Sequence, residues 1–274
     1  MKCESDKMQY ISVLRVGSML LIVLFHSMCF YTGNWWYLCA DVVPFWKVIS
    51  TPTVKIGLTT FVFISGFLYG YMYLKRGKYR NPKTFLAKKS RRLLVPYFFW
   101  GILMIITMPA VHISWINLFT GVAHLWFLMA LFEMFVIMML LNCLGINESS
   151  SKYVDFIVLL FSFVLLYVWK SSSGHQYAMA IKEMLYYLPA FLVGFYYAKY
   201  RRDDESKVVV ASLFMVGIIV LFAYSLFGYP DDSALYRVPA ILVSLSAMIW
   251  VSRYVSFYQS NVLCNLDNNS MGIY

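Results

Sequence analysis

The chain has 274 residues, 61% of them hydrophobic and only 13% charged, with a mean hydropathy of +0.67. A soluble domain of this length has no interior large enough for so much apolar surface, so a water-soluble enzyme is excluded and a polytopic membrane protein is indicated. The net charge of +10 would suit a nucleic-acid partner, but nine of the 23 Lys and Arg lie between Lys75 and Arg92, directly after an apolar segment, as the positive-inside rule expects of a cytoplasmic loop lying against anionic headgroups.

After a short polar tail carrying Lys2 and Lys7, the apolar run from Tyr10 to Tyr31 predicts a first helix over about Met8–Tyr31, since a span needs about 20 apolar residues. The run is too long for a signal-peptide core, and no small-residue cleavage site follows it, so it is expected to remain as a spanning helix. It contains an arginine and a histidine, and an ionisable side chain at membrane depth is a functional-site hypothesis by default. Arg15 and His26 are eleven positions apart, which in a helix is about three turns, about 16 Å along the axis and within about 20° of one face. Ser18 and Ile22 occupy the stripe between them. The spacing makes a helix wall with a fixed cation toward one water interface and a titratable base toward the other.

Residues 32–52, with Trp35, Trp36, Trp46, Pro44 and Pro52, read as an outer loop whose indoles suit the interface. The second helix is predicted over Thr53–Leu74, where Ser65 and Gly66 permit close helix approach. The basic loop follows, broken at Gly77 and at Asn81-Pro82. From Pro82 it suits a short amphipathic helix on the inner surface, with Phe85 facing lipid beside Lys88, Lys89 and Arg92. A third helix is predicted to start at Leu93, with Pro96 in its first turn, and to reach Val111. The stretch from His112 to Phe127 reads as an outer re-entrant or interfacial turn leading into a fourth helix over His124–Leu144. Four more helices are predicted over Tyr153–Trp169, Ile181–Lys199, Val208–Phe227 and Leu235–Tyr254.

On this topology seventeen Lys and Arg lie inside, five (Lys47, Lys55, Lys170, Lys182 and Arg237) outside, and Arg15 in the membrane, which puts the N-terminus in the cytoplasm. The expected fold is an all-α transmembrane helical bundle of about eight to ten spanning helices, forming a single domain over residues 1–274. The five cysteines show no CxxC spacing and no histidine at zinc-finger distance, so they are expected to pack rather than bind metal. No internal repeat is visible, and a repeat-built transporter gains no support.

Six short motifs stand in order along the chain: Arg15 and His26 with ten residues between them in the first helix; Phe61, Phe63, Ser65, Gly66 and Phe67 in the second; Arg92 to Tyr97, reading R-L-L-x-P-Y; His124 to Leu128, HLWFL; Tyr187 to Gly194, Y-L-P-x-F-x-x-G; and Ser270 to Tyr274, S-x-G-I-Y. In these the chain resembles the acyltransferase 3 family of bacterial integral-membrane O-acyltransferases, whose hallmark is the Arg, ten residues and His of the first helix and whose second-helix motif is "FF-x-x-SGF". There are departures. The family's Arg-x-x-Arg is met only as Lys88 to Arg91 or Lys89 to Arg92, and an acidic residue often found before the second-helix phenylalanines is replaced by Thr59 or Thr60. Similar proteins continue through a final spanning helix where this sequence stops at Tyr274, which implies a truncated copy with its last helix missing.

The resemblance implies transfer of an acetyl or other small acyl group from cytosolic acyl-CoA, a co-substrate, to a hydroxyl of a cell-surface or exported polysaccharide or glycoconjugate. It also implies the bacterial inner membrane as the location, with no resident cofactor or metal. His26 is then a general base, against the plainer reading of a core histidine bonded between helices; an acyl-histidine is the less favoured variant. Arg15 either holds donor phosphate through its guanidinium fork or snorkels to the inner interface. Lys88, Lys89, Arg91 and Arg92 form a cationic mouth for the donor, or are the ordinary charges of an inner loop. His124, Trp126 and Glu133 are acceptor-side candidates. The tryptophan is equally an interfacial anchor, and Glu133, near mid-helix, is expected to be protonated or paired with Arg15 or a tyrosine. His112 and His175 read as loop histidines. Two rival functions remain open: a transporter or flippase of a glycan intermediate using Arg15, Glu133 and His26 as a proton or anion path, and a truncated inactive family member acting as a partner subunit.

Overall fold

A computed structural model describes residues 9–33, 41–107, 115, 117–120, 122, 125–148, 151–171, 180–201, 206–230 and 233–254. Among them the chain is all-helical, with no strand. The helices are α1 Gln9–Thr32, α2 Pro44–Gly70, α3 Pro82–Thr107, a one-turn α4 Asn117–Thr120, α5 Trp126–Cys143, α6 Lys152–Ser171, α7 Ile181–Tyr200, α8 Lys207–Leu226 and α9 Arg237–Tyr254. Leaving α4 aside, these are the eight helices that the apolar runs predict, the lower bound of the expected count. Six are long and apolar enough to cross a bilayer: α1, α2 with its extension to Lys75, α3, α5, α8, and α9 with the turn before it. The lipid-compatible faces are plain. On α8, Val208, Val209, Met215, Val216 and Ile219 are exposed, and on α6, Phe156, Ile157, Leu160 and Phe161. Such surfaces are stable where the surrounding medium is hydrocarbon. The chain is a multi-pass membrane protein.

Two helix starts differ from the sequence expectation. The segment from Pro44 to Pro52 is helix rather than loop, so α2 begins nine residues before Thr53. Pro44 occupies the first helical position, where its missing N–H costs nothing. Pro52 has no N–H to offer the Val48 carbonyl one turn back, and the neighbouring hydroxyls of Ser50 and Thr53 turn back onto the helix at the carbonyls of Lys47 (3.4 Å) and Ile49 (2.7 Å). The second difference is α3, one helix from Pro82 to Thr107 with Pro96 in its interior. It starts at the predicted break because Asn81 Oδ1 accepts the Thr84 N–H at 3.3 Å and Pro82 sits at the first position.

The chain divides into two compact units, residues 1–67 with 200–274 and residues 68–199, with α2 running from one into the other. In the first unit α9 packs on α8 and on α1. Its contact with α8 closes on Gly217, where a Cβ would meet Val243 Cγ2 at 2.7 Å and the Pro239 carbonyl at 3.0 Å. Leu221, Tyr236, Ala240 and Val243 form the buried core there, with Ile56 packed against it. α2 and α9 run parallel, because their contacts advance together: Lys55 with Tyr236, Thr59 with Arg237, Thr60 with Ser244.

In the second unit α3 packs on α5, and the Tyr97 hydroxyl donates to the Leu118 carbonyl at 3.1 Å. Gly70 lets the end of α2 approach α7, its would-be Cβ 3.0 Å from Phe195 Cδ2 and 3.1 Å from Ala198 Cβ. Close approach falls at Gly70 here and at Gly57 in the first unit, and the Ser65 hydroxyl bonds the Phe61 carbonyl at 3.0 Å. Phe85, expected to face lipid, is 1% exposed. It lies against Tyr69, Tyr79 and Phe135, because the face that carries Phe85 and, one turn on, Lys89 is the one α3 turns toward α5.

Candidate functional site

The stripe predicted on α1 faces protein. Ser18 and Ile22 are 2% and 6% exposed, whereas Leu20 and Leu24, on the other side of the helix, are 57% and 48% exposed. Arg15 and His26 bracket this stripe and are both half-buried. What holds it inward is Gly57 of α2: a Cβ there would lie 3.1 Å from both Ile22 Cγ1 and the Ser18 carbonyl oxygen. The Ser18 hydroxyl is spent within α1 on the Leu14 carbonyl at 2.7 Å. The His26 ring meets Phe25 edge-on at 5.2 Å, and its Nδ1 is shielded from solvent. One helix of the first unit thus presents a guanidinium and an imidazole on one face, about three turns apart.

The other candidates belong to the second unit. Lys88, Arg91 and Arg92 are exposed, as a cationic surface requires, but Lys89 is half-buried. Its ammonium lies 3.8 Å from the centroid of the Phe135 ring, 5.7 Å from Phe85 and 6.0 Å from Tyr79, a cation–π seat. Four basic residues that look equivalent in sequence therefore have two different environments. Trp126 stacks on Tyr187 with ring centroids 5.8 Å apart and planes 26° from parallel. Glu133 is buried, and its Oε1 accepts the Ala180 N–H at 3.1 Å; the partner found is a backbone group rather than a tyrosine. Ala180 directly precedes α7, so the carboxylate also answers the positive end of that helix. Glu133 Oε2 is buried with no hydrogen-bond partner among the described residues. His124 lies outside the described residues, as do His112, His175 and Ser270–Tyr274.

Sequence reasoning missed several buried polar groups. Lys199 pairs with Asp155 at 2.6 Å, with side chains 13% and 4% exposed, and donates to the Asn147 carbonyl at 3.2 Å. Tyr73 donates to Glu148 Oε1 at 2.7 Å, and the Asn142 amide donates to the Tyr69 hydroxyl. In the first unit Arg237, counted from sequence among the outer charges, is 0% exposed and donates through NH1 to Thr59 Oγ1 at 2.7 Å. The available signal was its place directly before the apolar run Val238–Trp250. Among the described residues no three His, Cys, Asp or Glu side chains converge as a metal-ligand set would.

Comparison with protein families matches the acyltransferase 3 model, described as an acyltransferase domain, to residues 8–274. No curated protein and no solved structure matches the chain.

Proposed function

The chain belongs to the acyltransferase 3 family and is a membrane acyltransferase; from that premise we propose that it moves an acetyl or other small acyl group from cytosolic acyl-CoA to a hydroxyl of a cell-surface or exported polysaccharide or glycoconjugate. The observation that carries this reading is the α1 stripe, with Arg15 and His26 at the two ends of a buried face. His26 takes the proton of the acceptor hydroxyl as its oxygen attacks the thioester carbonyl carbon. The C–O bond forms, the C–S bond breaks, and the departing thiolate recovers the proton from the imidazolium. An imidazole, with an unperturbed pKa of about 6.5, suits both halves of that exchange.

Arg15 offers a donor phosphate two parallel N–H bonds. Lys88, Arg91 and Arg92 raise the local concentration of a polyanionic donor, and Lys89, held on its aromatic rings, supplies a fixed charge behind them. The run of basic residues from Lys75 to Arg92 supports a cytoplasmic face there and an N-terminus on the same side, in the bacterial inner membrane. Trp126 offers a flat face to a sugar ring, and Glu133 and His124 complete the acceptor-side assignment.

The test is incubation of purified protein with radiolabelled acetyl-CoA and candidate glycans. Label is expected in the glycan with wild type and not with His26→Ala, while the variant still inserts in membranes. Wild-type transfer by that variant excludes the base role, and glycan flux into proteoliposomes with no thioester consumed replaces the enzyme by a transporter.

A further inference from the structure

Between α2 and α3 the chain turns back as a short strap over residues 76–81. α2 widens into a π turn over Tyr71–Lys75, the Lys78 N–H returns to the Met72 carbonyl at 2.9 Å, and Asn81 caps the start of α3. Two residues of the strap have left-handed backbone, Gly77 at φ +61° and Tyr79 at φ +69°. Glycine suits that conformation, whereas a residue with a Cβ rarely adopts it. Among the described residues Tyr79 is the one non-glycine that does, so its surroundings must hold it there.

What holds it is its ring. Tyr79 stacks on Tyr69 with centroids 6.1 Å apart and planes 5° from parallel, and meets Phe85 at 4.8 Å, separations that aromatic pairs favour. The Lys89 ammonium lies 6.0 Å from the same ring. Each of these contacts uses the Tyr79 ring and none its hydroxyl. The floor beneath is fixed in turn: Tyr69 stacks on Tyr73 at 6.0 Å, the Asn142 amide donates to the Tyr69 hydroxyl, and the Tyr73 hydroxyl donates to Glu148.

The residue on each side of Tyr79 is a cation. Lys78 and Arg80 are exposed, and a ring fastened at Tyr79 fixes the backbone from which both side chains start. The fastening point is the seat of Lys89, which in α3 is within one turn of the exposed Lys88, Arg91 and Arg92. The clasp therefore ties the cations of the strap to those of α3.

We propose that Tyr79 is a positioning residue for the acyl donor: its ring clasps the strap so that Lys78 and Arg80 act together with Lys88, Arg91 and Arg92 on the donor's phosphates. The donor half rests on the transferase reading; the clasp does not. Phosphate is the chemistry such a grip reads, and an anionic lipid headgroup carries it as well as the donor.

The test uses the purified full chain in neutral detergent. Trypsin cleavage after Lys78 and Arg80, followed by mass spectrometry, reads the clasp, and calorimetric titration with CoA reads the donor grip. Tyr79→Asn removes the ring but leaves a residue at ease in left-handed backbone; Tyr79→Phe keeps the ring. In Tyr79→Asn cleavage is expected to rise about tenfold, as the population of the opened strap rises, and the CoA Kd about fivefold or more. The difference in Kd should shrink as salt screens the phosphates, and Tyr79→Phe should restore both readings. Lys78→Gln combined with Arg80→Gln leaves the ring in place and should raise the CoA Kd by about the same factor, two exposed contacts at a few-fold each. Cleavage of Tyr79→Asn at the wild-type rate, or of Tyr79→Phe at the faster rate, overturns the clasp. Undiminished CoA affinity in the double variant overturns the donor role, and so does protection of the strap from trypsin by phosphatidylglycerol micelles but not by CoA. Absence of CoA binding by the wild type, with the contrast in cleavage intact, would fall on the transferase reading and leave only the clasp standing.

Discussion

The two units hold their buried polar groups in contrasting ways. In residues 68–199 charges and hydroxyls are matched to one another: Lys199 to Asp155 at 2.6 Å, Tyr73 to Glu148 at 2.7 Å, and Glu133 to the Ala180 N–H at 3.1 Å. In the other unit Arg15 and His26 stand half-buried on α1, and the buried Arg237 donates to the Thr59 hydroxyl. Among its described residues in the spanning helices, no Asp or Glu occurs. Groups matched in charge and shape make a scaffold, because breaking any pair leaves an uncompensated charge. The difference places a buried side-chain ion pair in residues 68–199, where substitution is expected to act first on stability, and the Arg15–His26 stripe in the other unit.

Substitutions can break that contrast. The largest expected effect is on turnover in the first unit: His26→Ala should lower acyl transfer by about 10²- to 10⁴-fold, read as radiolabel transferred to glycan, with unchanged membrane insertion. In the second unit the largest effect should be on stability. Lys199→Met strands Asp155 and is expected to cost ~3–5 kcal/mol, with much of the loss recovered when Asp155→Leu is added; thermal denaturation in detergent checks both. A double variant no more stable than the single would remove this pair from the scaffold.

Smaller effects sharpen the comparison. Gly57→Ala pushes a methyl to 3.1 Å from a side chain that can yield and a Ser18 carbonyl that cannot, so overpacking of ~1–3 kcal/mol is expected. Activity should fall with it, because the stripe carrying Arg15 and His26 is displaced; stability lost with full activity retained would detach the stripe from the reaction. Smallest are the exposed cations. Lys88→Gln, Arg91→Gln and Arg92→Gln should each raise the KM for acyl-CoA a few-fold, by ~1 kcal/mol or less, and the effect should shrink as salt screens it. Lys89→Met, by contrast, should show itself chiefly in the melting temperature, since its ammonium rests on Phe135 at 3.8 Å. Identical behaviour of Lys88→Gln and Lys89→Met in both assays would erase the distinction the fold draws between them.

Much of the candidate site was legible along the chain. Arg15 and His26 share a face because of their spacing alone, and Leu20 and Leu24 opposite are outward-facing as the same periodicity requires. The surroundings of Lys89 and Arg237 were not legible. In sequence Lys89 is one of nine basic residues in a row of eighteen, and Arg237 is one charge beside a turn. Nothing within a turn or two of either tells that a ring from α5 or a hydroxyl from α2 will be waiting.

What the sequence by itself determined is the set of long apolar helices, the bias of positive charge toward one stretch, and the one-face placement of the arginine and histidine in the first helix. Each depends on the i to i+4 geometry of a single helix and on transfer of side chains into hydrocarbon, both of which are local properties. The tertiary structure alone decided that Phe85 turns inward, that Glu133 ends on Ala180, and that Arg237 is buried against Thr59, 178 positions away in the chain. Those outcomes depend on which faces of distant helices meet, and helical periodicity fixes a face without naming its neighbour.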